Sequence, residues 1–220
     1  MGTKILLVLP PPPGGAMRAN WPPLGISYIA SYLVARSPEV SIKAIDFFAE
    51  QFSVERWRQE LSDYKPDIVG ISVITTYAPA GMMLARLTKE VDPRIVTVCG
   101  GPHASALPHH CLGHCDIVVR GEGEETFYEI AQGHDIDTIK GVSYLRNGTA
   151  FDAPPQDLIK NLDSLPFPLL SLFNMDRYVE HRPRIGAVMS SRGCPYGCTY
   201  CASQLFWNRR IRIRSVKNIV

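Results

Sequence analysis

The sequence predicts an α/β protein: a doubly wound parallel sheet, then a hairpin and connector, then a new strand that opens into a cysteine loop. Three observations carry that prediction. Short runs rich in β-branched residues recur through residues 1–133. Amphipathic stretches of helical period separate them. Beyond residue 138 the alternation gives way to a turn signal, a proline-rich stretch and a cysteine-rich loop. The organisation that follows is 1–138, 139–183 and 184–220.

Composition bounds the rest. Apolar residues make up 45% of the 220, ordinary for a packed domain, and 23 basic side chains nearly cancel 21 acidic ones. A net charge of +2 gives no strong field for nucleic acid, which is not expected as a partner. No stretch reaches the roughly 18 uninterrupted apolar residues of a membrane span. The opening "MGTKILLVLPPPPGG" is too short in its apolar part for a signal peptide and reads as a buried strand. A cytoplasmic location is therefore expected. There six cysteines stay reduced, and clustered thiols serve metals or catalysis.

The elements follow in order. Residues 4–10 (KILLVLP) form a strand closed by prolines, and 23–36 a helix with proline in its first turn. Residues 40–46 are a strand, and 53–64 a helix that Ser53 caps, with Glu55 and Glu60 on its polar side. A strand at 67–74, a helix at 79–91 and a strand at 94–101 continue the alternation, and 115–133 supplies a fifth strand and its helix. A parallel sheet covered on both faces binds ligands across the carboxyl ends of its strands, where the strand order reverses. Residues 139–151 are two strands about Asn147-Gly148, a strong hairpin signal. Residues 152–178 carry four prolines among apolar anchors and read as an ordered connector lying over a surface. From Ile185 a new strand opens into the cysteine loop.

That loop carries the chemistry. Cys194, Cys198 and Cys201 form C-x3-C-x2-C. Thiolates are soft ligands that suit zinc or iron–sulfur clusters. Structural zinc wants four protein ligands in two pairs, whereas three cysteines with no fourth nearby suit a cubane cluster that keeps one iron free. His181 is separated from them by the expected strand. Gly193 and Gly197 let the backbone bend, and Pro195 stiffens the turn.

"SRGCPYGCTYC", residues 191–201, resembles the signature of the radical S-adenosylmethionine superfamily, with Tyr200 as its aromatic position. The resemblance implies a [4Fe–4S] cluster on Cys194, Cys198 and Cys201. Its free iron binds the amino and carboxylate groups of S-adenosylmethionine, and one electron releases a 5′-deoxyadenosyl radical. Tyr200 would lie near the adenine. A reductant such as flavodoxin or ferredoxin is the implied partner. The resemblance also implies that the strand from Ile185 is the first of an incomplete (β/α) barrel, since only 36 residues follow position 184. The remaining S-adenosylmethionine contacts are therefore expected beyond Val220, with the piece inactive alone.

Upstream, "PPLGISYIASYL", "KPDIVGISVITT", "VCGGPHAS", "DIVVRGEGEETF", "GVSYLRNG" and "LDSLPFP" resemble, in order, the Rossmann-like cobalamin-binding domain that precedes the barrel in one large branch of that superfamily. The implied cobalamin lies over residues 10–23, with Pro12 and Gly14; over 72–76, with Ser72 and Thr75; and over 100–103, with Gly100, Gly101 and His103. The residues themselves offer Gly70 and Ser72 as backbone without bulk plus a hydroxyl, and Gly100-Gly101 as a place for close approach. Well-known cobalamin proteins carry Asp-x-His-x-x-Gly in the first loop. Here it reads "PPPPGGAMRANWPP", so cobalamin is expected without a protein histidine ligand.

The implied reaction is methylation, or cyclisation or rearrangement, of an unidentified substrate. One alternative is a corrinoid- or nucleotide-binding module with a non-catalytic cysteine tail. Another is a transfer-RNA methylthiotransferase, for which Cys99, Cys111 and Cys115 stand too close together. His103 either lines the pocket or caps the next helix. The acids of "RGEGEE" read first as helix caps and second as interdomain contacts. Cys99 reads as a small buried hydrophobe, while Cys111 and Cys115 with His110 and His114 offer a zinc alternative. The tail "WNRRIRIRSVKNIV", five basic groups and no acid, would lead into the first barrel helix.

Overall fold

A computed structural model describes residues 2–14, 19–178 and 187–220. The strands are β1 (Lys4–Leu9), β2 (Ser41–Asp46), β3 (Ile68–Ser72), β4 (Val96–Gly100), β5 (Ile117–Val119), β6 (Val142–Arg146), β7 (Thr149–Asp152), β8 (Ser191–Gly193) and β9 (Ile211–Ile213). The helices are α1 (Leu24–Arg36), α2 (Val54–Tyr64), α3 (Ala78–Val91), α4 (Pro102–Ala106), α5 (Pro108–Leu112), α6 (Glu124–Ala131), α7 (Ser203–Trp207) and α8 (Val216–Ile219).

One sheet runs β2-β1-β3-β4-β5-β6-β7. Its first five strands pair in parallel, and β6 and β7 add antiparallel at the β5 edge. Side chains alternate across a strand, and β1 shows what that does here. Ile5 and Leu7 enter a core with Ile26 and Leu33 of α1 and Phe127 of α6, whereas Leu6 and Val8 enter another with Trp57 of α2 and Leu84 of α3. Both faces of the sheet are thus sealed by helices, as a doubly wound fold requires.

Local chemistry sets the element ends. Ser53 Oγ accepts the Arg56 amide at 3.0 Å and starts α2. Asn147 and Gly148 both take positive φ, 52° and 79°, which matches the turn that joins a tight hairpin. The chain after β4 breaks into two one-turn helices, because Pro108 at the start of α5 cannot continue α4. The connector lies over α1: Leu162 and Leu165 pack on Tyr32, and the Leu169 amide donates to the Ser27 carbonyl at 3.1 Å. At its end the Tyr178 hydroxyl donates to buried Asp46 Oδ2 at 2.9 Å.

The carboxyl-terminal part departs from the sequence expectation. Ile185, where the strand before the cysteines was expected to open, lies outside the described residues, as does His181. Residues 187–190 carry no strand, and β8 immediately before Cys194 pairs antiparallel with β9. The basic tail therefore returns as a strand before it turns helical at α8. The alternation of "RIRI" favours an extended ribbon, and Ser215 Oγ accepts the Asn218 amide at 3.1 Å to start the helix. Among the described residues no helix is long and apolar enough to cross a membrane.

Candidate functional site

The loops after β1 and β3 leave neighbouring strand ends for opposite faces, one towards α1 and the other towards α3. A crevice opens at such a switch. Pro12 is buried in its wall, while Gly14 is exposed with φ 82°. A cavity of about 500 Å³ lies alongside, within the size range of small-molecule sites. Pro11, Pro12, Phe47, Phe52, Thr76 and Tyr77 line it, an uncharged and largely apolar set.

The β4 loop closes against the β3 loop. The Val73 amide donates to the Gly100 carbonyl at 2.8 Å, and the His103 amide to the Val73 carbonyl at 3.0 Å. Gly101 has φ 93°, and a Cβ there would stand 2.9 Å from the Val73 carbonyl oxygen and 3.3 Å from Ser72 Oγ. Its glycine is required by this chain-on-chain approach. Gly100 is the roomier of the pair, with nothing nearer than 3.8 Å to a Cβ. Gly70, read in the sequence as clear space for a ligand, instead admits packing. A Cβ there would lie 2.7 Å from Leu7 Cδ2 and 2.9 Å from the Phe127 ring, inside the α6-side core.

His103 is 4% exposed, with both ring nitrogens engaged: Nδ1 lies 3.2 Å from Thr75 Oγ1 and Nε2 lies 2.8 Å from His110 Nδ1. Burial, then the neighbouring His110, holds it below the usual histidine value. It ties the β3 loop to α5 and caps no helix, since α4 starts without a side-chain cap. Ser105 makes the next tie. Its hydroxyl donates to the Gly101 carbonyl at 3.0 Å and accepts the Gly121 amide at 2.9 Å, joining the β4 and β5 ends.

The cysteine loop follows β8. Gly193 has φ 99°, and a Cβ there would overlap the Arg210 carbonyl oxygen at 1.9 Å, so only glycine fits. Gly197 makes room for the Arg209 guanidinium, 2.8 Å from where its Cβ would be. Cys194 and Cys201 are half-buried and Cys198 is exposed; all three are free thiols. The Cys201 amide donates to the Cys198 carbonyl at 3.1 Å, and hydrogen bonds from Ser203 hold the Cys201 thiol below its usual pKa. Tyr200 is 90% exposed. Among the described residues no three His, Cys, Asp or Glu side chains gather where they could hold a metal ion, so the three thiols do not converge. The zinc alternative fails on the same ground. Cys111 and Cys115 are buried, Cys115 Sγ lies 3.4 Å from the Cys111 and Ile117 carbonyl oxygens, and burial pushes the Cys111 thiol up to about 12.

For the acids of "RGEGEE" the second reading fits better than the first: α6 starts without a side-chain cap, and Glu122 and Glu124 grip arginines from beside the cysteines. Arg192 Nη1 lies 2.8 Å from Glu122 Oε1 and Nη2 lies 2.5 Å from Glu124 Oε1, while Arg212 Nη1 is 2.6 Å from Glu122 Oε2. These side chains are 2%, 5%, 9% and 10% exposed for Glu122, Glu124, Arg192 and Arg212, so the network is dry. Arg192 and Arg214 both lie over the Tyr28 ring, at 5.2 and 5.6 Å. No local signal pairs these acids with Arg192 and Arg212, which lie 68 or more residues further on; Arg214 bonds Asn218 and the Leu165 carbonyl instead.

A strand-end crevice in a doubly wound sheet, joined by buried charges to a C-x3-C-x2-C loop, defines the class: a cofactor-binding α/β domain coupled to a radical S-adenosylmethionine-type cysteine loop. Comparison agrees. Residues 14–131 match the B12 binding domain family. An uncharacterized methyltransferase of Pyrococcus horikoshii is 37% identical over 99% of this chain and 49% of its own length. The anaerobic magnesium-protoporphyrin IX monomethyl ester cyclase of Rubrivivax gelatinosus is 30% identical over 94% of this chain and 39% of its own. The solved structure of the cobalamin-dependent S-adenosylmethionine radical enzyme OxsB with aqua-cobalamin bound superposes with TM-score 0.77 at 21% identity, over 99% of this chain and 30% of that one. The chain belongs to the B12 binding domain family, and its relatives include the cobalamin-dependent radical S-adenosylmethionine methyltransferase TokK of Streptomyces tokunonensis, 32% identical over 65% of this chain and 23% of its own length. It spans about half or less of the length of these relatives.

Proposed function

We propose that this chain is the cofactor-holding portion of a B12-dependent radical S-adenosylmethionine enzyme that methylates or cyclises an organic substrate. Residues 1–138 would hold cobalamin, 139–183 connect, and 184–220 begin the barrel. The carrying observation is the buried bridge from Glu122, at the β5 end of the crevice, to Arg192, two residues before Cys194. Two sites in series on one scaffold suit two cofactors that act on one substrate.

The residues fit the groups by donor chemistry. Cys194, Cys198 and Cys201 are unpaired thiols, half-buried or exposed, and among the described residues no fourth ligand stands with them, which suits three iron corners of a cubane. When bound, the cluster supplies the electron that cleaves S-adenosylmethionine, delivered by a reductant such as flavodoxin or ferredoxin. Tyr200, free of protein packing, is the side chain to meet the adenine.

Cobalamin, when bound, supplies a cobalt centre for methyl transfer. The uncharged cavity beside Pro12 suits an apolar part of that molecule, and Ser72, Thr75 and the Gly14 and Gly100 backbones offer polar contacts around it. The first loop contains no histidine, and both nitrogens of His103 are taken by Thr75 and His110, so these segments would hold cobalamin through contacts other than a histidine bond to cobalt. A cytoplasmic setting keeps the thiols reduced.

Two measurements test the reading. Hydroxocobalamin titrated into the chain should shift its visible spectrum on binding. Anaerobic reconstitution with iron and sulfide should give about four irons per chain, with absorbance near ~400 nm, and Cys198→Ala should lose that iron while the sheet stays folded. Equal iron in mutant and parent would overturn the cluster assignment.

A further inference from the structure

Two carboxylates and two guanidinium groups in a place this dry need a reason. A buried ion pair is often no more stabilising than well-packed apolar side chains of the same volume, and geometric specificity is one thing it can provide. The geometry here is directional. Each Nη of Arg192 takes a different carboxylate, and its Nε points to Met189 Sδ at 3.1 Å, so turning the guanidinium breaks at least one contact. Arg212, the register partner of Arg192 across the β8–β9 ribbon, holds the other oxygen of Glu122 and the Ile159 carbonyl at 2.8 Å. Glu122 in turn follows Gly121, which Ser105 ties to Gly101. A continuous line of ion pairs and hydrogen bonds therefore runs from the β4 end, through the β5 end, to the residue before Gly193.

We propose that Glu122, Glu124, Arg192 and Arg212 form a clasp that sets the cysteine loop at one place over the strand ends, with Arg192 as the positioning residue for Cys194. Its purpose rests on the cofactor reading above, but the clasp itself exists without either cofactor. Lysine at 192 can satisfy one carboxylate and not both, so it should restore part of the order that glutamine loses.

Hydrogen exchange on the cofactor-free 220-residue chain decides it. Arg192→Gln should speed exchange in residues 189–202 about tenfold or more, with Arg192→Lys in between and β1–β5 unchanged. With hydroxocobalamin and a reconstituted cluster, both then reduced, the magnetic dipolar coupling between cobalt and cluster should be sharp in the parent. In Arg192→Gln it should be broadened at equal metal content, and sharpened again by lysine. Unchanged exchange at 189–202 in Arg192→Gln overturns the clasp. Acceleration spread evenly over the sheet, or no recovery with lysine, overturns it too, since an ordinary core ion pair would behave that way. If the parent takes up neither cobalt nor iron while the exchange contrast persists, the clasp stands and the cofactor reading falls.

Discussion

Residues 4–131 and residues 187–220 are held together by different physics. In the first, five parallel strands lie between two apolar cores, with Trp57, Phe47 and Leu33 buried completely. In the second, a two-stranded ribbon leaves Tyr196, Tyr200, Leu205, Ile213 and Val216 exposed, and its grip on the rest runs through Arg192, Arg212 and Arg214. Apolar packing is non-directional and tolerates small shifts. Paired carboxylates and guanidinium forks specify distance and angle. A sheet needs only stability, whereas a loop whose sulfurs must meet one object needs placement.

The comparison breaks most visibly at Trp57. Removing its ring by Trp57→Ala empties the α2-side core and should cost ~3–5 kcal/mol, unfolding the sheet cooperatively. Thermal denaturation followed by circular dichroism should show one transition at much lower temperature. A second, separate transition, with the sheet melting at its parental temperature, would mean that the two cores are independent.

Gly193→Ala should act oppositely, with a local effect and little global one. Alanine at positive φ costs about 1–2 kcal/mol, and its Cβ would strike the Arg210 carbonyl. The β8–β9 pairing should open, with fast amide exchange at residues 191–193 and 211–213 and a melting temperature within a few degrees of the parent. A large drop in melting temperature would show that the ribbon belongs to the sheet's cooperative unit.

How far each region could be read in advance follows the same division. The sheet was legible because strand and helix periods are local, and runs such as "KILLVLP" and "DIVGISVI" show them within eight residues. The C-x3-C-x2-C spacing is plain in the sequence, whereas the backbone that presents it depends on β8 and β9. What escaped was non-local. Glu122 and Arg192 are 70 residues apart, and neither segment names its partner. Gly70 was misjudged for that reason too: a glycine near a strand end looks like ligand space until Leu7 and Phe127 arrive from other elements. The short β8 before the cysteines also depends on a distant strand, β9, for its pairing.

The smallest effect concerns the ties between loops at the crevice, and it depends on pH. His103 is buried against His110 and titrates below about 6.5, the usual value, so the unfolded chain binds a proton there more readily than the folded one. Stability from this group is then fully present above about pH 6.5 and lost as pH falls towards its folded value. Protonation also leaves Nε2 and Nδ1 both donors, so the 2.8 Å contact then needs His110 Nδ1 as the acceptor. His103→Gln, which keeps a donor and an acceptor but does not titrate, should flatten the fall in stability between pH 6.5 and 5 while changing neutral-pH stability little. Urea denaturation at both pH values measures this. A variant that loses as much stability on acidification as the parent would assign the pH dependence to other groups and leave His103 as a neutral brace in the loop wall.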